Sequence, residues 1–163
     1  MNASPAIASL QTSRPFAAIA TAGLIVGILD ITSAFVIWTS RGVGPIRGLQ
    51  GIAAGLLGKQ SSEGGLTTAS LGLAIHFLIA FVVVTIFYVA SRKLTFLTQH
   101  AVISGLLYGV GVYLFMYWFV LPSAFATFKH SIFNDAMAVM IHMSLIGLPT
   151  ALIVRRFSQR AGQ

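Results

Sequence analysis

Four side chains in this 163-residue chain can do chemistry inside an apolar environment: Asp30, His76, Tyr113 and His142. Each falls in a different apolar stretch. A carboxyl, two imidazoles and a phenol can relay a proton, hold an ion or a small ligand, or simply bond helix to helix. An ionised acid near a bilayer centre costs roughly 2.5–3.5 kcal/mol on insertion scales, so Asp30 must face the protein interior, be protonated, or find a partner.

The elements that must carry these groups follow from composition. Hydrophobic residues make up 56% of the chain, charged residues 8%, and the mean hydropathy is +0.89. Soluble domains carry about 25% charged residues. Three acids and ten Lys or Arg cannot cover a water-facing surface, which excludes an ordinary soluble globule, a disordered chain and a disulfide scaffold. The chain has no cysteine, hence no thiolate zinc site, iron–sulfur cluster or redox dithiol. The net charge of +7 is scattered between apolar stretches, a pattern that suits anionic lipid head groups and not nucleic acid.

A membrane-crossing helix needs about 20 apolar residues. Four stretches qualify: residues 16–38, 71–90, 101–121 and 135–154. The sequence therefore predicts an all-α integral membrane four-helix bundle in a single membrane domain, residues 1–163. Residues 45–58 read as a short amphipathic interfacial helix in the first outer loop. Its apolar face is Ile46, Leu49, Ile52, Ala53, Leu56 and Leu57; Arg47, Gln50 and Ala54 fall opposite. Four crossings put both termini on one side, with Arg14, Arg92, Lys93, Arg155, Arg156 and Arg160; the other side carries Arg41, Arg47, Lys59 and Lys129. That bias favours cytoplasmic termini.

Counted from the outer boundary, Asp30, His76, Tyr113 and His142 form one layer on the order of 8–13 Å deep. Asp30 shares a helix face with Gly23, Gly27 and Ala34; His76 with Gly72 and Ala80; Tyr113 with Gly105, Gly109 and Tyr117; His142 with Asp135, Ala138 and Pro149. Gly23, Gly27, Gly105 and Gly109 are the helix-packing positions. The paired patterns Gly23–Gly27 and Gly105–Gly109, with Ala74-Ile75-His76-Phe77 and Met140-Ile141-His142-Met143, make the halves look alike. Pro149 is expected to kink the last span, and His100 and His130 to be solvated in short loops.

Three functions remain open on these residues. The first is a small proton, ion or solute transport bundle, needing no cofactor. The second is a structural or accessory membrane subunit without chemistry. The third is a haem electron carrier, with His76 and His142 as axial ligands from diagonal helices. For any other metal, Asp30, His76 and His142 make only three ligands. No Walker loop, H-E-x-x-H or G-x-S-x-G motif points to an enzyme. Four helices rarely enclose a full pathway alone, so a homodimer or partner membrane subunit is expected, joined through lipid-facing glycine faces.

The first span with Gly23 and Gly27, the His76 span ending in Tyr88, Arg92 and Lys93, the Gly105/Gly109 span ending at Pro122, and the order Asp135, His142, Arg155, Arg156 carry a resemblance. Over residues 20–156 the pattern resembles small bacterial inner-membrane proteins of the YagU-like type. The resemblance implies a bacterial inner-membrane location and brings no established chemistry with it.

Overall fold

Inside hydrocarbon no water satisfies a backbone N–H or C=O, so an apolar segment must close its hydrogen bonds within a helix. The computed structural model, which describes residues 5–125 and 128–159, obeys this throughout. Helix α1 runs Pro5–Ser40 and α2 Pro45–Leu57. A tight turn, Gly58–Ser62, leads into α3, Gly65–Lys93. The short α4, Phe96–Gln99, turns the chain into α5, Ala101–Ala124, and α6 spans Ile132–Ser158. Four of these are long and apolar enough to cross a membrane: Pro15–Ser40 of α1, α3, α5 and α6. The chain is an all-α, four-helix integral membrane protein.

The spans bury little of themselves, from 17% of the most apolar window in α3 to 33% in α6. Their outward faces, among them Ile28, Val36, Leu78, Val82, Ile86, Leu107 and Phe119, are the lipid-facing surface. Lipid tails are as apolar as these side chains, so the helices are held by close packing and interhelical hydrogen bonds. Helix α1 lies between α3 and α6, and α5 packs along α6. Between α3 and α5 the backbones stay apart, and α3 meets α6 only briefly. Tyr108 bridges the α3–α5 gap: its hydroxyl donates to the Val83 carbonyl at 2.6 Å, and its ring meets Phe87 edge-on at 5.0 Å.

The α1–α3 and α5–α6 seams both meet at glycine, in two different ways. On the α1–α3 seam a Cβ at Gly27 would lie 2.6 Å from the Phe77 ring, and one at Gly23 would meet the Phe81 ring. On the α5–α6 seam the neighbours are backbone. A Cβ at Gly109 would lie 2.6 Å from Met143 Cα, and one at Gly105 would lie 2.8 Å from the Gly147 carbonyl oxygen. All four glycines are buried within the chain's own bundle, so they are not the lipid-facing dimer surfaces inferred from sequence. They lie under neighbouring helices because only a missing side chain lets two backbones, or a backbone and a phenyl ring, come so close.

The end of the bundle near α4 is packed solid. Ala22, Val26, Val84, Val112 and Ile146 form one buried cluster; Phe87, Ala101, Ala151 and Val154 form a second. The opposite end is capped by α2, which lies on α3 with Leu49 and Ala53 against Gly72.

Helix α2 is rotated relative to its sequence pattern. Gln50, placed on the polar face, is buried and donates from Nε2 to the Gly65 carbonyl at 3.1 Å. Ile46 and Leu56, on the apolar face, are exposed, as residues of an interfacial helix can be. A buried polar tie to the first turn of α3 outweighs the burial of apolar residues that lipid can solvate equally well. Helix α3 also starts at Gly65, before the apolar run, because Thr68 turns its hydroxyl onto the Ser61 carbonyl at 2.6 Å.

Two π turns interrupt the ladder, Met116–Val120 in α5 and His142–Gly147 in α6. Each stands just before a proline, Pro122 and Pro149. Proline lacks an N–H and its ring crowds the carbonyl four residues back; a locally wider turn relieves both. The extra residue shifts the helical register, so the face through His142 does not continue to Pro149 as regular spacing predicts.

Candidate functional site

The wide α3–α5 gap beneath α2 forms a cavity of about 680 Å³. Its floor is the top of the buried core, Val26, Val83, Val112, Met116 and Ile146. Its walls are overwhelmingly apolar, with Ile75 and Ile79 from α3 and Val120 and Leu121 from α5. Trp38, Gly51 and Arg47 stand at the capped end. Three titratable groups from three helices open onto it below that end: Asp30 of α1, His76 of α3 and His142 of α6.

Asp30 and His76 form a pair. Their Oδ2 and Nδ1 atoms are 3.9 Å apart, with side chains 27% and 12% exposed. On the other side of the ring, His76 Nε2 donates to the Gly27 carbonyl at 3.0 Å. Gly27 and Asp30 are neighbours on one face of α1, so both contacts cross the same seam. The bare glycine lets α3 come near enough for the imidazole to reach a main-chain oxygen already inside a helix.

His142 is held differently. Its Nδ1–H donates back to the Ala138 carbonyl of its own helix at 2.8 Å, which leaves Nε2 as its second nitrogen. Tyr113 and Tyr117 pack edge-on against the ring, with centroids 6.0 and 5.8 Å away. His142 opens the π turn of α6, and its carbonyl overlies Gly109. The two histidines thus occupy related places, each beside the second glycine of a Gly-x-x-x-Gly pair, Gly27 and Gly109.

Of the four groups singled out by sequence, Asp30, His76 and His142 share the cavity. Tyr113 is buried behind His142 and is not part of the cavity wall. Among the described residues no group of three or more His, Cys, Asp or Glu is arranged to hold a metal ion. An axial haem ligand needs a nitrogen free of the main chain. On His76 that is Nδ1, the atom beside Asp30, because Nε2 serves Gly27.

Several contributors were not singled out. Arg47 and Gly51 line the cavity from α2, and Tyr108 closes its floor. Tyr108 carried a legible signal, since a hydroxyl in a membrane span must find a partner. His130 is exposed, as expected, and its Nδ1 lies 3.1 Å from Asp135 Oδ2 with its ring stacked on Trp118 at 4.4 Å. Beside it Arg41 donates to Asn134 Oδ1 at 2.8 Å, tying the end of α1 to the start of α6. No protein-family model, curated protein or solved structure matches this chain.

Proposed function

We propose that this protein binds a small, largely apolar solute in the outer-half cavity and moves it across the membrane together with a proton. The observation that carries this reading is the meeting of Asp30, His76 and His142 in one apolar-walled cavity. Its volume of about 680 Å³ lies within the roughly 300–1,000 Å³ typical of small-molecule sites, which pair apolar walls with a few polar groups. A solute that is mostly apolar with one hydrogen-bonding end suits these walls. A hydrated ion does not, and the packed clusters below the floor favour bind-and-release over an open pore.

The basic side chains at the α4 end, Arg92, Lys93 and Arg156, suit anionic lipid heads and cytoplasmic termini. With the resemblance noted above, this supports placing the protein in a bacterial inner membrane. A homodimer or a partner subunit would supply the half-pathway that the packed end lacks.

The reading is tested in proteoliposomes under an imposed pH gradient, with a panel of apolar solutes bearing one polar group. Uptake is expected from the wild type and is expected to fall at least tenfold in Asp30→Asn. Gly51→Leu is a second probe. No atom lies within 4 Å of a Cβ placed there, so the side chain enters open space beside the cavity without clash. Solute binding is expected to be lost with thermal stability retained. No uptake of any solute by the wild type would remove the transport reading and leave an accessory subunit.

A further inference from the structure

We propose that Asp30 and His76 form a site for a single proton, built across the α1–α3 contact, and that it is the site at which the transported proton is held. Its role in transport rests on the function proposed above; the one-proton site itself rests on geometry alone.

The Gly27 carbonyl oxygen, 3.0 Å from His76 Nε2, offers only lone pairs. Nε2 must therefore carry a hydrogen in every state that keeps this contact. That fixes the tautomer and makes Nδ1 the atom that gains or loses a proton. Nδ1 faces Asp30 Oδ2 at 3.9 Å.

Three occupancies are conceivable. With no proton, two lone-pair atoms oppose each other and a carboxylate stands in a largely apolar cavity whose one lining Lys or Arg among the described residues is Arg47, at the capped end. With two, hydrogens oppose each other and the pair carries a net positive charge. With one, the pair is an imidazolium beside a carboxylate, or a neutral acid whose O–H points at Nδ1, and both are attractive. At 3.9 Å the two atoms are within ion-pair range but beyond a hydrogen bond, so interchange requires the side chains to close that gap; it then breaks one O–H bond as one N–H bond forms, and the electron pair of the broken bond stays on oxygen. In surroundings of low dielectric the preference for one proton is larger than in water.

Few polar groups from other elements face the pair. Helix α6 contributes His142, whose Nδ1–H is given to Ala138 and whose Nε2 keeps a lone pair in the same cavity. Helix α2 contributes Arg47 at the capped end. Helix α5 presents only apolar side chains to the cavity, with Tyr113 and Tyr117 packed against His142. No second carboxylate lines the cavity among the described residues.

The arrangement also links the proton to helix position. Gly27 and Asp30 belong to α1, and His76 to α3. Sliding one helix along the other breaks the Nε2 contact and the Nδ1 contact together. It frees the tautomer and dismantles the proton site in one step. A proton bound there accordingly favours the α1–α3 contact seen here, and a shift of that contact releases it.

The full chain in lipid nanodiscs, with ¹⁵N-labelled histidine, tests this at neutral pH. The His76 signals are assigned by their loss in His76→Gln, whose amide can still donate to Gly27. Two readouts are taken together: the ¹⁵N pattern of His76, and the infrared band of a protonated carboxyl that disappears in Asp30→Asn. The expected result is Nε2 protonated, with either an imidazolium pattern or the carboxyl band present, but not both and not neither. Replacing one member is expected to alter the signal of the other. Both signatures at once, neither signature, a His76 tautomer with bare Nε2, or unaltered partner signals in both variants would each overturn the proposal. If the one-proton signature is present and the wild type moves no solute, the transport reading falls and the proton site stands. If solute moves without that signature, the reverse holds.

Discussion

The histidines and glycines show how much a single atom decides in this protein. His76 and His142 are the same residue type at related places, yet one reaches across a seam to a neighbouring helix and the other folds back onto its own carbonyl. The difference lies in what covers the adjacent glycine: a phenyl ring at Gly27, backbone at Gly109. This contrast makes a prediction about stability. Gly109→Ala pushes a methyl onto Met143 Cα and the His142 carbonyl, which cannot swing aside, and overpacking of this kind costs about 1–3 kcal/mol. Gly23→Ala meets the ring of Phe81, which can rotate away. Thermal unfolding in detergent is expected to show a clear loss for Gly109→Ala and a smaller one for Gly23→Ala. Equal losses would mean that the two seams are not packed as described.

At the scale of elements, the cavity exists because α3 and α5 do not close on each other. One hydrogen bond, Tyr108 to the Val83 carbonyl, spans the gap at its floor. Hydrogen bonds between membrane helices contribute about 0.6 kcal/mol on average. Tyr108→Phe is expected to destabilise the bundle only by about that amount, while loosening the α3–α5 seam and weakening solute retention in the cavity. Spin labels on α3 and α5 would read the widened distance distribution, and an unchanged distribution would argue that Phe87 and its neighbours hold the seam alone. The π turns belong to this scale too. Pro122→Ala removes the crowding that favours the wider turn at Met116–Val120. A return to regular helix would rotate Met116 and Val120 relative to the cavity and change its shape, with a corresponding shift in solute preference.

At the scale of the whole molecule, four crossings set the sidedness of every loop. Gly55 of α2 packs near Ala124 and Phe125, and Arg41 bonds Asn134, so the first and third connections share one end. The absence of cysteine makes this directly testable, since any introduced thiol is the only one. In intact cells, Ser62→Cys and Lys129→Cys are expected to react with an impermeant maleimide from the same side, and His100→Cys only from the opposite side. If Ser62→Cys and His100→Cys label together, the count of crossings is wrong.

The crossings were legible because span length is an energetic demand of the bilayer and hydropathy states it residue by residue. Asp30, His76 and His142 were legible as candidates for the same reason: polar groups in an apolar run must be accommodated somewhere. Tyr113 looked equivalent to them, and only the packing of α5 on α6 placed it behind His142. Helical spacing alone also put Gln50 on the polar face, whereas it is buried, because in a membrane apolar residues gain little by facing the core and a buried amide can set the rotation of a helix. The sequence thus determined how many helices cross and which polar side chains must be sheltered. Which glycine receives a ring and which receives backbone, which atom of His76 faces Asp30, and the open space between α3 and α5 all depend on contacts between residues far apart in the chain. Those contacts have no period for a sequence to display, and only the tertiary structure decided them.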